Sequence, residues 1–448
     1  MRRILLSVAI LGLIGTVGCQ CKTEPAAPTT TEQGAPAAKP AEQAPPAQVR
    51  EADPKAAEAF VKRVAELRGK IRYDKSKTAI AVDLKDRPAK DDDVALMVQG
   101  FPTLATVELW GAGITDVGVE KLAGLARLTD LTLENTSITD AGAEKLKAIP
   151  GLVTLNLRRS TRMTDAGLKH LADLPKLQTL GLLYNNFTDV GMAHLAAIKG
   201  LRRLDLRGCD RIGNAGIEQL KGLVNLESLK LRNPSVGDTG VLQLKDLTKL
   251  KTLSIEDSPV TNAGLAILAG FKELRDLELM RCNAVRDDGL QHLKGLTNFR
   301  RLSLRGTPIF NSGLANLQGM TQLATLDLDE TSVNDAGLEQ IKGLASLETL
   351  QLWNTQITDA GLEHLKPLKN LKSLDLKGTS VTDAGLKTVA ALTTLTELVL
   401  EETRVTDAGL ESLAALKNLE SLVLKFTQVT DAGVEKLEKA LPECEIER

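Results

Sequence analysis

Aromatic residues are scarce in this chain of 448 residues, which has two Trp, two Tyr and seven Phe. Aliphatic side chains, mainly leucine, valine and alanine, must therefore supply most of the buried area. A basic excess is also missing, since 56 Lys and Arg face 58 Asp and Glu. General nucleic-acid binders carry a strong basic excess, so we expect no nucleic-acid partner.

The sequence contains none of the common catalytic or metal-binding patterns. It has no glycine-rich phosphate loop after a strand, no HExxH and no nucleophile elbow. The four histidines are scattered, without the spacing of a zinc motif. Cys209 and Cys282 occupy equivalent positions about 14 Å apart in the predicted sheet, too far for a disulfide. We therefore predict no enzymatic activity, no cofactor and no metal.

What the chain does contain is one repeated unit, from residue 78 almost to its end. Each copy has leucines spaced as LxxLxL, then a Thr-Asp-Ala-Gly phrase, then leucines every third residue. The first leucine of each copy recurs between residues 104 and 419 at steps of 24 residues ten times and 25 residues three times. A fixed period of this length predicts a solenoid, in which each unit buries its apolar face against its neighbours.

The parts of one unit predict its local structure. Alternating leucines in LxxLxL indicate a strand with one buried face. The threonine of Thr-Asp-Ala-Gly suits a helix N-cap, and the aspartate suits the first turn of that helix. The aspartates recur one coil apart and lack the dense oxygen spacing of calcium loops, which favours this role over a metal ladder. We expect the glycine to let adjacent coils approach closely.

With these features the sequence resembles leucine-rich repeat proteins. Its ITDAGL phrase resembles the cysteine-containing and GALA-type repeats of F-box substrate receptors and related bacterial proteins. The resemblance implies an α/β solenoid, a leucine-rich repeat horseshoe with a parallel concave sheet of about 15 strands and convex helices, over residues 79–440. Residues 54–78 read as an N-terminal cap of a helix and an edge strand, and residues 441–448 as a C-terminal cap.

The N-terminus predicts export. Arg2 and Arg3 precede an apolar run over residues 4–18, which is shorter than the roughly 20 residues of a spanning helix and suits a signal peptide. Residues 16–19 resemble a bacterial lipobox, which implies a lipoprotein signal peptide over 1–18 and lipid on Cys19. An uncleaved anchor is the alternative. Residues 19–53 are rich in Pro and Ala and read as a disordered tether.

By resemblance to Gram-negative lipoproteins, Gln20 after the cysteine favours the outer membrane. We expect an extracytoplasmic protein at the bacterial cell envelope, attached to the membrane through the lipid anchor only.

Candidate ligand-binding residues follow from the family's geometry, in which the variable strand positions line the concave groove. Exposed Trp, Tyr and Arg side chains are common anchors of interfaces. The candidates are Trp110, Arg158, Tyr184, Arg207, Arg232, Arg281, Arg305 and Trp353. The alternative interpretation is that they only decorate a solvent-exposed face.

The arginines among them predict a basic band, and arginine suits the recognition of carboxylates. We therefore expect a protein or peptide ligand, with an acidic segment or a polyanionic glycan as the group that docks. Salt bridges that merely balance the face are the alternative. The leading hypothesis is a non-catalytic, lipid-anchored scaffold that binds a protein or peptide.

Two other functions compete with this hypothesis. One is a cell-wall glycan binder that uses Trp110, Tyr184 and Trp353 as stacking platforms. The other is a substrate-recruiting adaptor like the F-box proteins, against which the export signal and the missing F-box argue.

Overall fold

The computed structural model describes residues 50–448, which belong to one compact unit. The predicted signal peptide, the lipidation site Cys19 and all of the predicted tether before residue 50 lie outside the described residues. Within 50–448, no helix combines the length and apolar character that crossing a membrane requires.

Seventeen strands form one sheet in the described part of the chain. They are β1 Lys70–Tyr73, β2 Ala79–Lys90, β3 Thr106–Gly113, β4 Asp130–Glu134, β5 Thr154–Asn156, β6 Thr179–Gly181, β7 Arg203–Asp205, β8 Ser228–Arg232, β9 Thr252–Glu256, β10 Asp276–Met280, β11 Arg301–Ser303, β12 Thr325–Asp327, β13 Thr349–Gln351, β14 Ser373–Asp375, β15 Glu397–Val399, β16 Ser421–Val423 and β17 Glu445–Glu447.

One α-helix or short 3-10 helix follows almost every strand. The α-helices are α1 Pro54–Glu66, α2 Asp91–Gly100, α3 Asp116–Leu122, α4 Asp140–Lys145, α5 Asp165–Leu168, α6 Asp189–Leu195, α7 Asn214–Gln219, α8 Asp238–Gln243, α9 Asn262–Leu268, α10 Asn311–Leu314, α11 Asp335–Ile341, α12 Asp359–Leu362, α13 Asp383–Val389, α14 Asp407–Leu413 and α15 Asp431–Ala440. The 3-10 helices are Leu146–Ala148, Lys169–Asp173, Leu220–Gly222, Asp287–Leu293, Ala315–Leu317 and Glu363–Leu365.

The strands pair in chain order, which is the arrangement of a solenoid. β1 pairs antiparallel with β2, and each strand from β2 to β16 pairs in parallel with the next strand. Leucines of the repeat stand opposite one another in register, as Leu326 opposite Leu350 and Leu350 opposite Leu374. This register confirms the predicted fold: the 15 strands β2 to β16 are the repeat strands, and one further strand lies at each edge.

The core is one continuous column of leucines that runs the length of the sheet. Leu326, Leu350 and Leu374 are fully buried, as are the helix residues Leu362 and Leu386. Phe299, which replaces the first leucine of its copy, is equally buried. Because each coil covers the next, the core needs few aromatic side chains.

In most coils a threonine stands three residues after the last leucine of the strand, as Thr355 follows Leu352, and it bonds to the backbone of the turn. A small polar residue at this position in the sequence predicts a hydrogen bond with backbone amides of the turn, but most of these hydroxyls donate to backbone carbonyls. The Thr355 hydroxyl donates to the Leu352 carbonyl at 2.6 Å, and the Thr379 hydroxyl donates to the Leu376 carbonyl at 2.6 Å. The same carbonyls also accept from the Thr355 and Thr379 amides, at 3.3 and 3.2 Å, so each threonine holds the turn with two hydrogen bonds.

The Thr-Asp-Ala-Gly phrase joins neighbouring coils. Thr382 caps its own helix by accepting from the Ala384 amide at 3.3 Å, as the sequence predicts. Its own amide and hydroxyl donate to the two carboxylate oxygens of Asp359 in the preceding coil, at 2.8 and 2.6 Å. The aspartate therefore stands in the first turn of one helix and anchors the start of the next. We call this repeated pair of hydrogen bonds the aspartate seam.

The glycine of the same phrase makes the seam possible. A Cβ on Gly385 would lie 2.3 Å from Asp359 Oδ1, and one on Gly361 would lie 2.3 Å from Asp335 Oδ1. Such separations are far below van der Waals contact, so any larger residue would push the carboxylate away. This close approach explains the expected role of the glycine.

The aspartate seam is weaker in the middle of the solenoid. Gly213, Gly237 and Arg286 stand at the capping threonine position there, and they offer only a backbone amide to the preceding coil. Asparagine replaces aspartate at two of the three acceptors, Asn214 and Asn262. One acceptor oxygen is enough where no hydroxyl has to be bound.

We predict that Asp359→Asn lowers the free energy of unfolding by about 1–2 kcal/mol, because the amide keeps one acceptor but loses the charge-assisted bond to the Thr382 hydroxyl. Urea denaturation measures the loss. Asp189→Asn is the matched control, because Asp189 accepts only the Gly213 amide, at 2.7 Å. Equal losses in the two variants would contradict this account of the seam.

Candidate recognition surface

The concave face is built from the side chains that alternate with the buried leucines. In each strand they form two rows, and a third row comes from the residue after the last leucine. Backbone register places members of this third row side by side, such as Trp110 opposite Glu134 and Arg232 opposite Glu256. Six of the eight predicted site residues belong to this third row.

Tyr184 and Arg281, the other two, lie one position further along, where the chain turns out of the sheet. Their φ angles are 56° and 51°, in the left-handed region that costs a residue with a side chain about 1 kcal/mol. Glycine occupies the same position in the next coil of both. A Cβ on Gly208 would lie 2.3 Å from the Tyr184 ring, and one on Gly306 would lie 2.9 Å from the Arg281 side chain. The two large side chains therefore lie over glycines.

All eight predicted residues are half-buried. The structure gathers them into separate groups along the sheet and does not bring them into a single pocket. One group joins Arg158, Tyr184, Arg232 and Arg281, because Tyr184 lies beside both Arg158 and Arg232 and Asp257 pairs with both Arg232 and Arg281. Arg207 lies with Asp205, Arg305 lies with Trp353, and Trp110 lies apart in β3.

All five predicted arginines form ion pairs. The pairs are Arg158 with Glu134 at 3.3 Å, Arg207 with Asp205 at 2.8 Å, Arg232 with Asp257 at 2.6 Å, Arg281 with Asp257 at 2.5 Å and Arg305 with Glu330 at 2.7 Å. Hydrogen bonds from Arg281 and Arg232 hold the pKa of Asp257 below its usual value. This arrangement matches the alternative interpretation of the band, in which neighbouring strands balance each other's charge.

Two of the three predicted aromatic platforms are covered by cations. The guanidinium carbons of Arg158 and Arg159 both lie 5.3 Å from the centre of the Tyr184 ring. Arg305 lies 4.7 Å and Lys377 5.7 Å from the centre of the Trp353 ring. Such contacts hold the rings in place and occupy area that a sugar would need for stacking.

A buried carboxyl lies beside the Trp353 group. Asp329 is 4% exposed, accepts from the Trp353 amide at 2.8 Å, and lies 3.9 Å from Arg305. Burial, and then the neighbouring Asp327, raise the pKa of Asp329 to about 7. The charge of this part of the concave face therefore changes near neutral pH.

The concave face is hollowed where one side chain is missing. Gly181 in β6 stands in a row where neighbouring strands carry Asn156 and Asp205. A depression of about 280 Å³ lies at this point, across β4 to β8. Asn156 and Leu183 border Gly181 itself, because a Cβ there would lie 3.0 Å from Asn156 Oδ1 and 3.5 Å from Leu183 Cδ1. The lining of the depression is mainly apolar and includes Leu183, with Thr154 and Thr179 beside it. We call this feature the Gly181 depression.

Two cations border the Gly181 depression. Arg203 is exposed and its Nε donates to the Thr179 hydroxyl at 3.0 Å, and Lys230 stands in the next strand. Neither has a carboxylate oxygen within 4 Å in the part of the chain that the structure describes. Asp205, which also lines the depression, is paired with Arg207. These two cations remain available to a ligand.

A family model for the leucine-rich repeat region matches residues 182–428, more than half of the chain. The chain belongs to the leucine-rich repeat family. A search of curated proteins gave no match.

Solved structures with leucine-rich repeats share its fold. An internalin from Listeria monocytogenes is 24% identical, with a TM-score of 0.52, covering 68% of this chain and 82% of the internalin. A leucine-rich repeat protein from Leptospira interrogans is 19% identical, with a TM-score of 0.49, covering 79% of this chain and 92% of that protein. At these identities the likeness concerns the fold alone.

Sequence reasoning did not single out Gly181, Leu183 and Lys230 as a site. The signal was present in the repeat: Gly181 is the residue between the last two leucines of its copy, where the flanking copies have Asn156 and Asp205. A missing side chain in one row of a leucine-rich repeat sheet indicates a depression, whereas all the predicted site residues have large side chains.

The described residues hold no group of three or more His, Cys, Asp or Glu side chains placed to bind a metal ion. The cysteines Cys209, Cys282 and Cys444 are free and buried. Burial raises the pKa of the Cys209 and Cys282 thiols to about 12, so neither is a reactive thiolate at neutral pH.

We predict that Asp329→Asn removes a pH dependence of stability. A carboxyl whose pKa is higher in the folded than in the unfolded state takes up a proton on folding at any pH between the two pKa values. The stability that protonated Asp329 contributes is therefore fully present below about pH 4, and this contribution is lost as the pH rises through about 7. Asp329→Asn should raise stability at pH 8 by at least about 1 kcal/mol relative to its effect at pH 5.

Urea denaturation at the two pH values measures this difference. Asp288→Asn, at an exposed position in a 3-10 helix on the convex side, is the control. If both variants shift stability equally at pH 5 and pH 8, the raised pKa of Asp329 has no part in folding.

Proposed function

We propose that this protein is a non-catalytic recognition scaffold that binds an extended, acidic segment of a protein or peptide on its concave face. The observation that carries the proposal is the Gly181 depression, which is mainly apolar and is bordered by two cations without carboxylate partners among residues 50–448. An aliphatic side chain of the ligand fits the hollow beside Leu183, and a neighbouring carboxylate reaches Arg203 and Lys230.

A protein ligand suits this surface better than a glycan does. Sugars bind by stacking on open aromatic faces, but cations lie over Tyr184 and Trp353. The Gly181 depression has no aromatic side chain in its lining. Its apolar lining and positive border are complementary to an acidic peptide with aliphatic residues.

We also propose that the scaffold is an extracytoplasmic protein of the bacterial cell envelope. It is attached to the membrane by lipid on Cys19, and the outer membrane is favoured. The support is the basic start, the apolar run and the lipobox-like residues 16–19. We further propose that the repeats are of the cysteine-containing or GALA type, because each resembles the ITDAGL phrase of those repeats.

The binding surface is tested with the full chain and fluorescent peptide pools of equal length, one rich in Asp and Glu and one rich in Lys, each with Leu and Val. We expect the acidic pool to bind. Arg203→Glu with Lys230→Glu should weaken binding at least tenfold, because charge repulsion replaces attraction, and Gly181→Val should weaken it by filling the hollow. Fluorescence anisotropy measures both effects.

Lys245→Glu with Lys387→Glu, at exposed positions on the convex side, is the charge-matched control and should bind normally. Equal weakening by the control would assign the effect to net charge. Binding of purified cell-wall glycan that survives the depression variants would favour the glycan alternative.

The anchor is tested by metabolic labelling with a fatty acid in a bacterium that processes lipoproteins. The wild-type chain should incorporate label and sediment with membranes, and Cys19→Ala should lose both properties because the thiol is the attachment point. Cys21→Ala is the control and should be labelled normally. Label that persists in Cys19→Ala would refute the anchor.

A further inference from the structure

The two edges of the sheet carry matching sequences of opposite charge. β1 at one edge reads Lys70-Ile71-Arg72, and β17 at the other reads Glu445-Ile446-Glu447. In both, an isoleucine packs partly against the core between two charged residues. The edges are therefore alike in shape and opposite in sign.

The register shows that these residues continue the rows of the sheet. Ile71 stands opposite Val82 and Ile446 opposite Leu422, so both isoleucines extend the buried row. Arg72 stands opposite Ala81 and Glu445 opposite Ser421, in the first concave row. Lys70 and Glu447 extend the second concave row in the same way.

The backbone of β17 is open on its outer side. The Glu445 amide donates to the Glu420 carbonyl at 2.8 Å, and the Glu447 carbonyl accepts from the Leu424 amide at 2.7 Å. Backbone groups alternate in direction along a strand, so Ile446 directs its amide and carbonyl away from β16. β1 pairs only with β2 within residues 50–448. Each edge can accept one more strand.

From these observations we propose that the protein associates head to tail with further copies of itself, β17 of one copy pairing with β1 of the next. β1 runs antiparallel to the other strands, so this pairing is antiparallel. With Ile71 opposite Ile446, Lys70 falls opposite Glu447 and Arg72 opposite Glu445. The buried row and both concave rows then continue without a break from one copy into the next.

Charge selects this arrangement over its alternatives. Pairing β1 with β1 would oppose cations, and pairing β17 with β17 would oppose carboxylates. Lys70, Arg72 and Glu445 make no ion pair among the described residues, and Glu447 pairs with Lys425 at 2.5 Å. A contact between two different surfaces leaves one free edge on each copy, so it builds either a closed ring or an open chain of copies, and both assemblies form more readily as the concentration rises.

The test uses the full chain carrying Cys19→Ala in a mild detergent, so that no lipid on Cys19 drives association. Analytical ultracentrifugation should show concentration-dependent oligomers that weaken as ionic strength rises. One variant, Lys70→Glu with Arg72→Glu, has two acidic edges. The other, Glu445→Lys with Glu447→Lys, has two basic edges. Each alone should associate at least tenfold more weakly than the parent, because its like-charged edges repel.

An equimolar mixture of the two edge variants should associate again, since each acidic edge then finds a basic one. Recovery in the mixture also shows that both variants are folded. Lys245→Glu with Lys387→Glu, which changes the net charge as much as the acidic variant does, should associate like the parent. A parent that stays monomeric, variants that associate as well as the parent, or a mixture that fails to recover would each overturn the proposal.

Discussion

The structure depends on the bond between an aspartate at one helix start and the capping threonine of the next coil. Leucines alone would hold the coils together, but apolar contact has no direction and leaves the stacking angle free. In the aspartate seam, two hydrogen bonds from Thr382 to Asp359 fix where each helix begins relative to the one before it. Repeated along the solenoid, these two bonds add a directional contact between neighbouring coils to the non-directional packing of the leucines.

The sequence predicts most of the fold because the repeat states it many times. Leucine spacing gave the strands and their register, and the threonine gave the helix starts. The acceptor role of Asp359 toward Thr382 could not be read, because the two residues belong to different coils and only the stacking brings them within 2.6 Å. The sequence predicts that Gly385 lets two coils approach closely, but only the stacking identifies Asp359 as the residue that it approaches.

The candidate site was harder to predict. The predicted Trp and Arg residues lie outside the leucine core, as expected, but they are half-buried. Most of the residues that they contact stand one or two coils away in the sequence. Arg305 reaches Trp353 across the short side chain of Asp329, and the sequence gives no measure of such reach. The Gly181 depression arises from an absent side chain, which matters only once the neighbouring rows are known. The candidate site thus follows from differences between repeats, whereas folding follows from their similarity.

The middle coils differ from the rest in how they would respond to mechanical load. At Gly213, Gly237 and Arg286 the seam has lost its hydroxyl, so fewer bonds there resist separation of adjacent coils. If the two ends of the solenoid are pulled apart, extension concentrates at these coils before the flanking ones yield. Thr261 keeps both of its hydrogen bonds to Asp238 among these coils, so we expect separation to begin on either side of that coil and not at it.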